Sequence, residues 1–240
     1  SKLFSINVAN VNNAPILVVP TGGSITEDAS TSVVTGSLTG SDPENDTLDY
    51  SIDGVTAVSG SHTAVGSYGT LVLTSATGAY TYSINNAATS VQSLGAGDSV
   101  NEVFSVGLSD GTNKTASQNL TFTINGANDA PANVSLTKTN VTENSAGAIV
   151  GTLNATDPDG DTITYSIANT GDGASFEIDG SNNLKLKSAA VADFSKKSSY
   201  SVSVNATDGN ETVSKTFSIS VNTVVANLTE TEPNNSIATA

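Results

Sequence analysis

The sequence predicts two all-β sandwiches of Greek-key type in tandem, and three observations carry that prediction. Short runs alternate apolar and polar residues, as in Leu120, Phe122 and Ile124 set against Thr121, Thr123 and Asn125, which is the period of a strand with one buried face. Turn residues interrupt these runs about every 8 to 15 positions, the spacing of a sandwich. One joint also recurs. The phrase Phe122-Thr123-Ile124-Asn125-Gly126-Ala127-Asn128-Asp129-Ala130-Pro131 is anticipated by the run from Phe4 to Pro15, and its strand half returns as Phe217-Ser218-Ile219-Ser220-Val221-Asn222. Pro131 cannot donate to a continuing ladder, so one sheet ends there and the next unit begins.

Taken in order, residues 1-13 read as the closing strand and linker of a preceding unit, 14-126 as a first sandwich, 127-223 as a second, and 224-240 as a tail that could open a further domain. The first sandwich is expected to use strands at Ile16-Val19, Val33-Leu38, Leu48-Ile52, Gly69-Thr74, Ala79-Ile84, Val103-Leu108 and Ser117-Ile124, with a helical turn or two over Ala87-Leu94. In the second, the strand-like runs are Asn133-Lys138, Ile149-Thr156, Ile163-Ile167, Phe176-Ile178, Leu184-Leu186, Ser199-Thr207 and Thr212-Val221. Tight Gly, Asn and Asp turns such as Asp179-Gly180-Ser181-Asn182 join them. Because the chain opens part-way through a strand-like run, a piece of a longer array is expected.

Composition narrows the function. Asp and Glu number 23 against 8 Lys and Arg, for a net charge of −15, so nucleic acid and anionic membrane surfaces are unsuitable partners. No apolar run approaches the roughly 18 residues needed to span a bilayer. There is no cysteine, and with 37% hydrophobic but 5% aromatic residues and no Trp, thin β-branched cores are expected rather than a deep ligand cavity. His62, the only histidine, has no cysteine or arginine to work with and no nucleophile elbow near it, so it reads as a surface-loop residue and Ser-His-Asp catalysis is set aside. A paired-carboxylate glycosidase would want a sugar-stacking cleft that the aromatic content does not promise. No enzyme is expected.

The acids that remain are patterned. Asp157-x-Asp159-x-Asp161 places three carboxylates at alternate positions around a proline and a glycine, so a tight turn can aim several oxygens at one point. Calcium takes six to eight hard oxygens, carbonyl and Asn oxygens included, which suits the nearby Asn128 and Asp129. The first unit repeats the order with Glu27-Asp28, then Asp42-Pro43-Glu44-Asn45-Asp46, then Asp110-Gly111; the second has Glu143-Asn144, the triad, then Asp208-Gly209.

The second unit resembles the cadherin repeat, through Val141-Thr142-Glu143-Asn144, Ala155-Thr156-Asp157-Pro158-Asp159-Gly160, Asp193, the run Ser199 to Gly209, and Asn128-Asp129-Ala130-Pro131 before it. The first resembles the VCBS repeat of bacterial surface proteins, through Gly66-Ser67-Tyr68-Gly69-Thr70-Leu71, Gly78-Ala79-Tyr80-Thr81-Tyr82, Val91 to Asp98 and Ser109-Asp110-Gly111. The Glu230-Thr231-Glu232-Pro233-Asn234-Asn235 stretch resembles the start of a pre-peptidase C-terminal domain. These resemblances imply Ig-like or cadherin-like sandwiches with Ca2+ at the junction of consecutive repeats. The implied ligands are Glu27, Asn128, Asp129, Asp157, Asp159 and Asp208 at the central junction. Asn12, Asn13, Asp42, Glu44 and Asp110 would serve a preceding one, and Glu143 and Asp193 a following one. Ser195 stands where the family usually has a Glu, and Asn13 where the linker Asp of position 129 would be. The implied function is that of an extender or spacer in a secreted or cell-surface bacterial protein engaged in adhesion, its partners being neighbouring repeats of the same chain. Two alternatives stay open: a module binding cell-surface glycans or proteins through Tyr68, Tyr80 and Tyr82 or the 55-66 loop, and accessory domains of a secreted peptidase.

Overall fold

The computed structural model describes Leu3 and residues 11–224. Two compact units make up the chain, one of residues 1–129 with 158–160 and the other of residues 130–157 with 161–240. The expected closing strand over 1-13 and the tail over 224-240 fall largely outside the described residues.

The first unit contains β1 (Ile16–Val18), β2 (Gly23–Thr26), β3 (Val33–Ser37), β4 (Thr39–Ser41), β5 (Asp49–Ile52), β6 (Ser61–Val65), β7 (Gly69–Thr74), β8 (Ala79–Ile84), the single helical turn α1 (Thr89–Gln92), β9 (Ser99–Ser109) and β10 (Gln118–Asn125). One sheet runs β2-β10-β9-β5 and the other β3-β8-β7-β6, with β1 paired to β4. Alternate residues of the long strands face inward. Leu120, Phe122 and Ile124 on β10, and Phe104, Val106 and Leu108 on β9, meet Leu71, Leu73, Tyr80 and Tyr82 from the opposite sheet. At the centre Tyr82 stacks on Phe122 with ring centroids 4.2 Å apart, while Tyr80 and Phe104 meet Phe122 edge-on. Each such side chain taken from water contributes about 1.5–3 kcal/mol, so this ring cluster is a substantial part of the unit's stability.

The second unit is built from β11 (Ala132–Leu136), β12 (Asn140–Thr142), β13 (Ile149–Thr156), β14 (Thr164–Ile167), β15 (Phe176–Ile178), β16 (Asn183–Leu186), β17 (Ser199–Thr207) and β18 (Thr212–Asn222). Its sheets run β12-β18-β17-β14 and β11-β13-β16-β15. The core is aliphatic, with Val202, Val204, Ile219, Leu184 and Leu186 fully enclosed and one edge-on ring pair, Phe176 with Tyr200. Both units therefore share a plan. The second strand of each pairs parallel to its last, β2 with β10 and β12 with β18.

Two expectations are corrected. His62 is not a loop residue; it lies on β6, 6% exposed, with Nδ1 2.9 Å from the Val55 carbonyl oxygen. Tyr80 and Tyr82 are core residues and offer no stacking face for a sugar. Alternation misled at neither ring: both point inward in register with Ile84.

Candidate metal-binding site

The site begins with where the last strand of the first unit lets the chain go. The Asn125 carbonyl accepts the Glu27 N–H at 3.0 Å, which continues the parallel pairing of β2 and β10 by one step. Gly126 then passes so close to the end of α1 that an added Cβ would lie 2.1 Å from the Leu94 carbonyl oxygen, so the joint needs its glycine. This path delivers the Ala127 N–H to Glu27 Oε1 at 2.9 Å.

Glu27 is 1% exposed, and its Oε2 has no hydrogen-bond partner among the described residues. A buried carboxylate oxygen left in that state costs free energy. Burial pushes the Glu27 carboxyl above its ordinary range; the Ala127 N–H opposes the shift, and the charges of Asp129, Asp28 and Asp159 add to it. The acid is thus surrounded by its own sign of charge. Asp129 donates its N–H to Asp159 Oδ2 at 2.8 Å, and Asn128 Nδ2 donates to the Asp129 carbonyl at 3.1 Å.

The triad is drawn together by its turn. Gly160, at φ +80°, lets the loop reverse, and the Asp161 N–H donates to Asp157 Oδ1 at 3.2 Å. One oxygen from each of Asp157, Asp159 and Asp161 lies within 4.8 Å of the others. Asp161 belongs to this set although the family resemblance carried only Asp157 and Asp159. Asp208 sits in the β17–β18 hairpin, where its Oδ1 accepts the Asn210 and Glu211 N–H groups, both at 2.7 Å.

The residues expected at a preceding junction also meet. Asn12 Nδ2 donates to Asp110 Oδ2 at 2.8 Å and Asn13 Nδ2 to Glu44 Oε1 at 2.6 Å. Asp42 Oδ1 accepts the N–H groups of Glu44 and Asp46 at 2.9 and 3.1 Å, and its buried Oδ2 has no hydrogen-bond partner among the described residues. Asp110 mirrors Asp208, taking the Thr112 and Asn113 N–H groups, which with the Asn12 amide hold its carboxyl below the usual range.

For a following junction the residues are less well assembled. Glu143 repeats the device of Glu27: its N–H donates to the Asn222 carbonyl at 2.9 Å, and its Oε1 accepts the Val224 N–H at 3.0 Å. Its Oε2 is already used by the Phe194 N–H at 3.3 Å. Asp193 is engaged by the Ser195 hydroxyl at 2.6 Å and the Lys196 ammonium at 2.9 Å, which hold its carboxyl down to about 2. A cation entering there would have to displace the lysine.

The enclosed Glu27 and, separately, the triad each offer the anionic oxygen donors that a hard cation takes. Residues 12–126 match the model of the bacterial cadherin-like domain, and residues 137–234 that of the cadherin domain. The chain carries two tandem cadherin-like domains. Neither a VCBS repeat nor a pre-peptidase C-terminal domain is shown by these matches. No curated protein sequence matches.

Solved cadherin structures share the fold. Protocadherin gamma C5 EC1-3 is 18% identical, with a TM-score of 0.55, 90% of this chain and 70% of that one being covered. For human protocadherin-24 EC1-2 the values are 20% and 0.51, with 85% and 95% covered. For mouse cadherin-23 EC22-24 they are 14% and 0.52, with 89% and 67% covered. Cadherin-like domains act as extracellular adhesion or spacer repeats, are generally structural modules rather than enzymes, and typically bind calcium. No helix among the described residues is long and apolar enough to cross a membrane.

Proposed function

We propose that the chain is a calcium-dependent spacer segment of a secreted or cell-surface bacterial protein engaged in adhesion. The ion would be held by Glu27, Asn128, Asp129, Asp157, Asp159 and Asp208, with Asp161 beside them. A comparable set would use Asn12, Asn13, Asp42, Glu44 and Asp110. Glu143 and Asp193 are the third and weakest candidates, since Lys196 already serves Asp193. The observation that carries the reading is Glu27, an enclosed acid with one oxygen unsatisfied among the described residues and three further acids raising its proton affinity.

Two carboxylates about 5 Å apart repel by roughly 3 kcal/mol at an effective dielectric of 20. The acids around Glu27 therefore resist closing on the linker, and the bound ion would supply the compensating positive charge. The chain's own contribution is to hold the oxygens ready. The parallel pairing of β2 and β10 fixes Glu27, the 157–161 turn gathers the triad, and Gly126 lets the linker pass beside Glu27. The first-unit resemblance to the VCBS repeat is kept as the finer reading of that domain.

Titration calorimetry with calcium, paired with thermal unfolding with and without chelator, tests the proposal. Heat of binding together with a melting point raised by calcium is the expected result. An identical melting point under both conditions, with no heat, would overturn it. The alternative of a glycan-binding face loses its support from Tyr80 and Tyr82, which are enclosed.

A further inference from the structure

The first unit has a second feature that the calcium reading does not use. A cleft of about 440 Å³ lies on one side of this sandwich, walled by β6, β9 and the end of β5, with Ile52, Val55, Ala64, Val103 and Glu102 among its lining.

Both long walls are open sheet edges. β6 is the outermost strand of its sheet. Along its pairing with β7, the Gly66 N–H bonds to the Gly69 carbonyl and the Ser75 N–H to the Gly60 carbonyl, so the even-numbered residues face β7. Thr63 and Val65 therefore turn their backbone N–H and C=O groups outward. Across the cleft, β5 ends at Ile52, and the Asp53 N–H bonds the Ser105 carbonyl. By the same parity, Val103 and Asn101 of β9 present their backbone groups to a position that no strand fills among the described residues.

Sheets that must not recruit another strand blunt their edges with lysine, proline or a bulge. Neither 61–65 nor 99–103 contains a lysine or proline, and Val65 is 82% exposed. In the wall between the edges lies Glu102, 7% exposed. Its oxygens accept the Tyr68 N–H at 2.9 Å and the Tyr82 hydroxyl at 2.8 Å. Among the described residues no ion pair reaches it, whereas Asp53, the other acid of the cleft, is paired with Lys114 at 3.3 Å. An enclosed carboxylate with neutral donors only is a receptor for a cation.

We infer that this cleft binds an extended peptide segment of a partner protein, which adds a strand to the open edge of β6 and places a Lys or Arg side chain against Glu102. Main-chain bonding gives such a site its affinity and the pocket gives its selectivity. The charge argues for a cationic partner and against a second copy of this chain, whose net charge is −15.

The test uses fluorescence anisotropy with a labelled peptide of about nine residues alternating Thr and Val with a central Lys. Two controls accompany it: the same peptide with Glu for Lys, and an equally charged peptide with Pro at alternate positions. The Lys peptide should bind with calcium or with chelator present, and neither control should. Glu102→Gln should weaken binding about tenfold, and Val65→Pro, which removes an outward N–H, should abolish it. Amide exchange at Thr63 and Val65 of the unaltered protein should slow when the Lys peptide is added, a readout that needs no variant to fold. Equal binding of the three peptides, unchanged exchange at Thr63 and Val65, or a concentration-dependent dimer removed by Val65→Pro would each overturn the inference. Because the peptide arm runs with and without chelator, its failure and that of the calcium reading are told apart.

Discussion

The two domains solve the same problem, an excess of acid in a thin sandwich, by different means. In the first, acids are enclosed and served by neutral donors: Glu27 by the Ala127 amide, Glu102 by the Tyr68 amide and the Tyr82 hydroxyl. In the second, three acids are met by lysines, Lys185 with Glu177, Lys196 with Asp193 and Lys197 with Asp172, against one such described pair in the first, Lys114 with Asp53. The cores diverge in parallel. Three rings, Tyr80, Tyr82 and Phe104, interlock around Phe122 in the first domain, whereas Phe176 has one ring partner in the second. An acid kept enclosed with neutral donors only, such as Glu27, is poised to respond to an added cation; one already paired with a lysine, such as Asp193, is less so.

Emptying each core should break this contrast most severely. Phe122→Ala should cost about 4–5 kcal/mol and Phe176→Ala about 3 kcal/mol, read by chemical denaturation as separate losses in the step belonging to each domain. Equal costs would show that the ring cluster adds nothing beyond volume. The next effect is ionic. Calcium at about 100 times its Kd should add roughly 2.7 kcal/mol per site. Glu27→Gln should abolish most of that increment without lowering the stability of the chelated protein, since the replaced charge is disfavoured in the fold. Glu143→Gln should leave the increment in place. Thermal unfolding with and without chelator checks both variants.

The smallest effect concerns the lysines. Lys197→Ala, which removes a partly exposed partner of Asp172, should cost the second domain about 0.5 kcal/mol or less at neutral pH. Asp172 and Asp179 are held below their ordinary range, chiefly by Lys197 in the first case and the Asn183 amide in the second. Their contribution is present above the ordinary Asp value of about 3.9 and is lost as pH falls through the depressed values. Glu27 runs the other way. Its raised carboxyl disfavours the fold once ionised, so acidification from neutral pH should relieve the chelated first domain before the second begins to weaken.

Which parts of this were legible in the sequence follows from what produces them. Long strands with one buried face, such as β10 and β17, were legible because burial imposes alternation. β2, β4, β6 and β12 were missed because Gly-Ser-Ile-Thr, Thr-Gly-Ser, Ser-His-Thr-Ala-Val and Asn-Val-Thr contain too few apolar residues to show a period; their pairing partners make them strands. Acid spacing marked Asp157, Asp159 and the Glu27–Glu143 correspondence, since the ligands of a turn are local. Enclosure of Glu27 was not legible, because it depends on a linker returning about a hundred residues later. Glu102 was missed although its parity on β9 matches Phe104, Val106 and Leu108, the one signal that could have placed it inside.

The parallel pairing of each domain's second strand with its final one, β2 with β10 and β12 with β18, has a mechanical meaning. Tension that drags the chain's leading end one way and its trailing end the other slides these strands along each other. Their hydrogen bonds are then strained together in shear, not peeled open one after another. The amide grips of Glu27 and Glu143 lie just past the points where those strands leave the sheet. Each adds one side-chain bond at the end of its ladder where the final strand leaves the sheet.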